Sequence, residues 1–599
     1  MQIARRLLCC LLFAPLLPAQ LPPPQDSRNI YIPDTDTHFR PIPFWRHASH
    51  GTRAQWEERR QFLRGQILSA AGLDPLPEKT PLHAQVFGRI ARDGYSIEKV
   101  LLETWPGFYL GGNLYRPSGK SGRFPGILRA HGHWIHGRLE DTDLCSNPGF
   151  GISMARQGYV VFAYDMVGYN DTRQTPHEFG APREYLWGFG PLGLQLWDSM
   201  RAVDFLQSLP DVDPEQIGMT GASGGGTQTF TLSAVDDRVK VCAPVNMVSA
   251  IMQGGSSCEN APNLRVDTYN VEIAAMMAPR PMILVSSPWD QSRNTMTEES
   301  VVIRGIYSLF ARRDNLDAVQ IEAQHNYNRA SREAVYRFFG KHFGKKPAEI
   351  MTSEQPFTAE KVEDMLALHE KKLPANALDY DGLFAEWREM ARRQSEQTRD
   401  LAALRRRLSY ALAAEMPSKP VREIDGEKIV IGRGGRKDRV PGLWHAGKGS
   451  PLLLVHPDGA AAAQKTKFAQ AALAEGRPLL LIDAFQTGSA VALRDRSNRF
   501  FLTFNKSDDA NRVQDILTAL AFLREESQEK IELRGLGKAG VWCLFAAAVA
   551  DPAWKLTLAA ELAGFHGTDE DFLRQFFVPD IQRAGGLEAA MRVTAGIRQ

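Results

Sequence analysis

Short, largely apolar runs punctuated by glycine alternate with longer stretches of helical periodicity through most of this chain. Ala54 to Ala71 reads as a helix. From Gln85 to Pro117 polar and apolar positions then alternate, with turn signals at Asp93-Gly94 and Gly111-Gly112, which predicts antiparallel strands. Phe124 to Ala130, Tyr159 to Tyr164, Gln216 to Thr220, Pro281 to Val285 and Ala318 to Glu322 read instead as buried parallel strands. Helical segments follow or separate them, Leu196 to Leu206 and Ser331 to Phe343 among them. The expectation is an α/β fold, a mostly parallel sheet with helices on both faces, whose functional residues sit beyond the carboxyl ends of the strands.

One turn carries the chemistry. Gly221-Ala222-Ser223-Gly224-Gly225 falls where a strand turns sharply into a helix, the pattern of the nucleophile elbow in an α/β-hydrolase. The motif alone is weak, because glycine-rich turns also arise for tight packing. Two further residues strengthen it: Asp290 follows the strand Pro281 to Val285, and His325 follows the strand Ala318 to Glu322. Ser, Asp, His is the chain order of that fold, unlike the chymotrypsin and subtilisin orders. Ser223 is therefore the expected nucleophile, His325 the base and Asp290 the residue that orients the imidazole. The backbone N–H groups of Gly224 and His133 are the expected donors to the oxyanion. Glu259 is the alternative acid, with Asp290 then a helix cap. His131 and His133 show no third ligand nearby in sequence, so no metal is expected. Asp165 reads as a structural hydrogen-bonding residue. Trp134, Trp187, Trp197 and Trp289 lie near these loops, and an aromatic face in a cleft suits a sugar ring; at most two of the four are expected to be exposed.

The second half repeats the first in degenerate form. Leu452 to Val455 ends at His456, Pro478 to Ile482 ends at Asp483, and Ile531 to Gly540 parallels the strand and elbow, with Gly537 in the serine's place. GLGKAG there matches a dinucleotide-binding pattern, but that motif belongs to the first strand-helix turn of its domain and this one follows two predicted strands. No cofactor is expected. The domain expectation is a leader at 1–20, a catalytic domain at 21–345, a helical connector at 346–425 and a truncated, inactive hydrolase-like domain at 426–599.

Composition narrows the setting. With 71 Lys plus Arg against 69 Asp plus Glu, nothing favours nucleic acid or a charged membrane as partner. Arg5 and Arg6, an apolar run from Leu7 to Leu17 and then Pro18-Ala19-Gln20 read as a secretory signal peptide, too short to span a bilayer. A secreted or periplasmic protein of unassigned oligomeric state is expected. Cys145, Cys242, Cys258 and Cys543 remain after the leader, too few for a disulfide scaffold. A Cys145–Cys258 bridge and two free thiols are equally open on spacing.

The segments PLHAQVFGRIARDGYSIEKVLLETWPGFYLGGNLYRP, HGH, FAYDMVGYNDTRQ, GASGGGTQT, CENAPNLR, APRPMILVSSPWDQSRNT and HNYNRASREAVYRFF together resemble bacterial acetyl-xylan-esterase-like α/β-hydrolases, relatives of the dienelactone-hydrolase and prolyl-oligopeptidase branches. The resemblance covers about residues 30 to 343, and the second half resembles the degenerate C-terminal hydrolase repeat of the same proteins. It implies an exported carbohydrate esterase acting on acetyl esters or on methyl esters of uronates, in plant polysaccharides or oligosaccharides. It matches Ser223, Asp290 and His325 to the triad, and makes Glu259 and Arg265 candidate substrate contacts, the arginine pairing with a uronate carboxylate. Trp134 and Trp289 join them as candidate substrate contacts. The other readings are a prolyl-oligopeptidase-like peptidase, for which no propeller-length repeat precedes residue 120, and a non-catalytic carbohydrate-binding protein on an inert hydrolase fold.

Overall fold

A computed structural model describes residues 51–436 and 438–598. The leader expected at 1–20 lies outside the described residues. Among those described, no helix is long and apolar enough to cross a membrane.

The first domain is built on a nine-stranded sheet. Its strands are β1 (Gln85–Arg92), β2 (Tyr95–Trp105), β3 (Phe108–Pro117), β4 (Phe124–Ala130), β5 (Val160–Tyr164), β6 (Val212–Ala222), β7 (Val239–Val245), β8 (Met282–Ser286) and β9 (Leu316–Gln320). They lie side by side in the order β1-β2-β3-β5-β4-β6-β7-β8-β9. The first three pair antiparallel, β3 runs antiparallel to β5, and every pairing from β5 to β9 is parallel. β7 was not among the strands read from the sequence; it lies between the strand that leads to Ser223 and the one that leads to Asp290. The chain turns at Pro106-Gly107, whereas Gly111-Gly112, expected as a turn, lie inside β3. These two glycines serve packing: a Cβ on Gly111 would stand 3.0 Å from an Asp165 carboxylate oxygen, and one on Gly112 would meet the Ala163 carbonyl at 2.8 Å.

A second sheet comprises β10 (Pro420–Asp425), β11 (Lys428–Arg433), β12 (Val440–His445), β13 (Leu452–Val455), β14 (Leu479–Ile482), β15 (Ile531–Gly535) and β16 (Leu556–Ala560), in the order β10-β11-β12-β14-β13-β15-β16. That is the order of β1 to β7 in the first sheet, and no counterparts of β8 and β9 occur among the described residues. β10 begins inside the stretch expected as connector. At the elbow-like turn after β15, Gly537 has φ 52°, close to the 56° of Ser223, and its N–H donates to the Glu561 carboxylate at 2.7 Å. A carboxylate at that point opposes an anionic pyrophosphate.

The connector is only partly helical. Residues 350–379 are mostly irregular and lie along the first sheet, where Asp171 accepts the N–H groups of Ala367 and Leu368 at 2.9 and 2.8 Å. Two helices follow, Tyr380–Gln397 and Leu401–Ala411. Leu383, Phe384, Trp387, Met390 and Ala391 form the buried face that the periodicity predicted. Trp387 is 1% exposed, and burial of an indole of roughly 200 Å² contributes about 5 kcal/mol before ordering costs. One apolar core runs from Trp56 in the first domain through Trp387 to Phe572 in the second, so the two sheets do not fold as beads on a string. Arg583 of the second domain donates to the carbonyls of Gly72 and Pro75 at 2.7 and 2.6 Å, which reinforces the junction.

Asp198, in the helix Pro191–Ser208, is 1% exposed and has a single side-chain donor, the Thr104 hydroxyl at 2.6 Å. Burial pushes its carboxyl up to about 7 against that hydrogen bond. The unfolded chain ionises this group near pH 4, so stability is greatest below that pH and falls as pH rises through 7. Asp198→Asn is expected to stabilise the protein by about 1–3 kcal/mol at pH 8 and by little at pH 4. Unfolding midpoints of both proteins across this range test it, and a gain that does not grow with pH contradicts it.

Candidate active site

The elbow dictates what surrounds it. Ser223 has φ 56° and ψ −126°, a strained conformation for a side chain other than glycine, and immediately precedes the helix Gly224–Val235. Its N–H donates to the Val245 carbonyl at 3.1 Å, which ties the turn to the end of β7. A Cβ on Gly221 would stand 2.5 Å from the Ala130 carbonyl, and one on Gly225 would stand 2.7 Å from the His131 carbonyl. Only hydrogen at both positions lets the helix approach β4 this closely.

Asp290 and His325 meet. His325 Nδ1 lies 2.7 Å from Asp290 Oδ2. A carboxylate only accepts, so Nδ1 carries the proton and Nε2 is left bare to act as a base. The other carboxylate oxygen of Asp290 accepts from the Ser292 N–H at 2.7 Å and from its hydroxyl at 2.5 Å. The Asp290 side chain is 4% exposed and that of His325 is 32% exposed, so the acid is enclosed and the base faces outward. The Ser287 hydroxyl donates to the Ala323 carbonyl, and Asn246 at the end of β7 donates to the Asn326 carbonyl at 3.0 Å. These bonds fasten the acid loop and the histidine loop beside the elbow. The Ser223 hydroxyl itself makes no hydrogen bond among the described residues. Trp134 stands between the two halves of the site: its ring lies 6.2 Å from that of His325, and a Cβ on Gly132 would fall 3.0 Å from its Nε1 and 3.1 Å from Ser223 Cβ.

The oxyanion side is closely packed. A Cβ on Gly224 would stand 2.6 Å from Cε1 of His133 and 2.7 Å from the Met166 methyl, so the His133 ring covers the first turn of the helix. His131, by contrast, faces inward: its Nδ1–H donates to the Gly132 carbonyl at 2.7 Å and its Nε2 accepts from the Met166 N–H at 2.8 Å. Burial pushes its pKa down to about 3, and it serves as a neutral backbone brace. Asp165 is a brace too. It forms a buried ion pair with Arg138, whose guanidinium also reaches Asp171 at 2.5 Å, and accepts from the Asp171 N–H at 3.0 Å.

Three expectations change. Glu259 is 3% exposed, and its carboxylate is occupied by the Thr227 hydroxyl at 3.1 Å and by the N–H groups of Gly255 and Ser256 at 2.8 and 3.2 Å. Arg265 is 1% exposed and donates to the Glu259 carbonyl and the Asn260 side chain at 2.7 and 3.0 Å. Both brace the loop 255–265 from within, so neither is presented to a substrate, and Glu259 does not face His325. The Cys145–Cys258 bridge is not formed: Cys145 packs under Tyr327 in the core, while Cys258 Sγ stands 3.2 Å from His133 Nε2. Of the four tryptophans, Trp187 and Trp197 are buried, Trp134 is half-buried and Trp289 is 69% exposed at the rim next to Asp290. Ile135, 90% exposed, stands beside Trp134.

The second domain grips the site through residues 499–503. The N–H groups of Asn263 and Arg265 donate to the carbonyls of Leu502 and Thr503 at 2.8 and 2.9 Å. The Thr503 hydroxyl donates to the Asn260 carbonyl at 3.1 Å, and Arg499 pairs with Glu178. Nothing in the local pattern of residues 499–503 marks them for this role.

The family model for acetyl xylan esterase (AXE1) matches residues 102–248, which span β3 to β7 and include Ser223. The first domain has the α/β-hydrolase fold and is similar to acetyl xylan esterases. The Bacillus subtilis (strain 168) protein "Putative hydrolase YtaP" is 28% identical to this chain over 230 residues, 35% of this chain and 75% of its own length. Uncharacterized protein PA2218 of Pseudomonas aeruginosa is 29% identical over 150 residues, 25% of this chain and 36% of that protein. Among solved structures, Methylesterase BT1017 superposes with a TM-score of 0.53 at 26% identity, over 61% of this chain and 82% of that chain.

With His325 oriented by Asp290, Asp290→Asn is expected to lower kcat by about 10³–10⁴ and leave the unfolding midpoint within a few degrees of wild type. Ser223→Ala is expected to abolish turnover. Steady-state kinetics with an activated acetyl ester test both; an Asp290→Asn enzyme with full kcat excludes Asp290 as the orienting acid.

Proposed function

We propose that this protein is a serine esterase that removes acetyl or methyl ester groups from plant-type polysaccharides or oligosaccharides. The observation that carries the proposal is the Asp290–His325 hydrogen bond beside an elbow whose serine has positive φ. In the reaction, His325 Nε2 takes the proton of Ser223 as its oxygen attacks the ester carbonyl. The N–H of Gly224, and that of His133 on the facing loop, donate to the tetrahedral oxyanion. His325 then protonates the departing alcohol, leaving an acyl-enzyme, and activates a water to hydrolyse it. For an acetylated sugar the alcohol is the sugar. For a methyl uronate it is methanol, and the sugar acid is the acyl group.

The exposure of the rim supports a large substrate. His325 is partly open to solvent, and Trp289, next to Asp290 in the chain, presents an exposed aromatic face suited to stacking on a sugar ring. The similarity to Methylesterase BT1017 supports methyl esters as one substrate class, and the acetyl xylan esterase match supports acetyl esters. The leader at residues 1–20 supports export to the compartment where such polymers occur.

A fluorophosphonate is expected to label the wild type with one equivalent at Ser223 and to leave Ser223→Ala unlabelled; equal labelling of both excludes Ser223 as the nucleophile. Against acetylated xylan, methyl-esterified pectin and acetylated rhamnogalacturonan, release of acetate or methanol from at least one is expected. Cleavage of dipeptide amides in place of all three esters would favour the peptidase reading.

A further inference from the structure

Beside the oxyanion loop, three side chains from separate parts of the chain converge on one point. His133 Nε2 lies 3.0 Å from His177 Nε2 and 3.2 Å from Cys258 Sγ, and all three donor atoms fall within 4.8 Å of one another. The Ser256 hydroxyl joins them at 3.1 Å from His133 Nε2 and 3.0 Å from the sulfur. From the sequence, His133 had no third ligand nearby. His177 and Cys258 are 44 and 125 positions away, and only the fold brings them together.

The orientation of the imidazoles is specific. His177 Nδ1 lies 2.7 Å from the Val167 carbonyl, which accepts only, so Nδ1 holds the proton and the Nε2 that faces the cluster is a bare lone pair. A backbone carbonyl on the far nitrogen is the arrangement that orients a metal-ligating histidine. The spacing fits as well. In a tetrahedron with bonds of about 2.0–2.1 Å to nitrogen and 2.3 Å to sulfur, neighbouring ligand atoms are about 3.3–3.6 Å apart, so small rotations of the side chains admit an ion. Two imidazoles and a thiolate suit a borderline-soft divalent cation.

We propose that His133, His177 and Cys258 form a metal site of the zinc type, with the Ser256 hydroxyl or a water in the fourth position. Binding replaces the Cys258 S–H bond by a metal–sulfur bond, and the proton leaves to solvent. The ion's role is positional. It fixes the His133 ring over Gly224, and with it the loop that carries the His133 N–H opposite the elbow. The ligand loops are themselves clamped: Glu178, next to His177, accepts from the Ser257 hydroxyl at 2.7 Å and pairs with Arg499 of the second domain.

The test uses the tag-free full chain, stripped by chelation and titrated with Co²⁺ as a spectroscopic probe, then with Zn²⁺. One equivalent of Co²⁺ is expected to give a near-ultraviolet sulfur-to-cobalt charge-transfer band with visible bands of tetrahedral intensity, and Zn²⁺ is expected to displace it. His177→Gln is expected to weaken binding at least 100-fold, and Cys258→Ser to remove the charge-transfer band. Cys145→Ser, which removes a buried thiol outside the cluster, is expected to keep both. Because the Co²⁺ spectrum is read on the wild type, a variant that fails to fold does not remove the test. No stoichiometric Co²⁺ binding, a spectrum lacking the sulfur band, or a band that survives in both His177→Gln and Cys258→Ser overturns the proposal.

Discussion

The contact between the elbow and β4 governs the rest of the first domain. Gly221 and Gly225 lie so near the Ala130 and His131 carbonyls that no Cβ fits, and the helix Gly224–Val235 is thereby drawn against the sheet edge. Ser223 accepts a positive φ because the strand before it and the helix after it are both fixed by burial, and the strain is the cost of lifting its hydroxyl off the sheet. Each other site residue takes its place from the same edge. Asp290 and His325 follow β8 and β9, which continue the sheet beyond β7, so two loops far apart in sequence arrive next to the elbow.

Around this centre the loops are braced by groups that are themselves buried and paired. Glu259 and Arg265 carry charge, yet their bonds run to the backbone and Asn260 side chain of their own loop, to the Asn270 side chain and to Thr227 on the elbow helix. Leaving one such group without its partner costs more than a surface contact gains, so these residues behave as internal struts. Arg138 with Asp165 and Asp171 does the same for the loop that carries His133 and Trp134, and Asp171 extends that brace to the connector through Ala367 and Leu368. Among the groups that reach solvent here are the outer edge of His325 and the Trp289 ring.

The second domain braces the site loops of the first. Its elbow-like turn carries Gly537, which has no side chain and whose N–H donates to the Glu561 carboxylate. Its residues 499–503 bind the backbone of the loop 258–265, and Arg499 joins that loop to the one bearing His177. Shared apolar burial makes this arrangement rigid, because separating the sheets exposes the core that links Trp387 to both.

The sequence by itself determined the fold class, the elbow and the chain order of Ser223, Asp290 and His325, because strands, sharp turns and strand-end loops are written in local patterns of apolar residues and glycine. It also determined the buried face of the helix Tyr380–Gln397, since a periodicity of 3.6 is local. Only the tertiary structure decided the rest. β7, the extended path of the connector, the inward role of Glu259 and Arg265, the separation of Cys145 from Cys258 and the meeting of His133 with His177 and Cys258 all depend on which segments the folded sheet brings side by side. A charged residue reads the same in sequence whether it faces a substrate or a carbonyl from its own loop, and a cysteine reads the same whether its neighbour is a second thiol or an imidazole. Proximity across the fold distinguishes these cases, and proximity is a property of the packed chain.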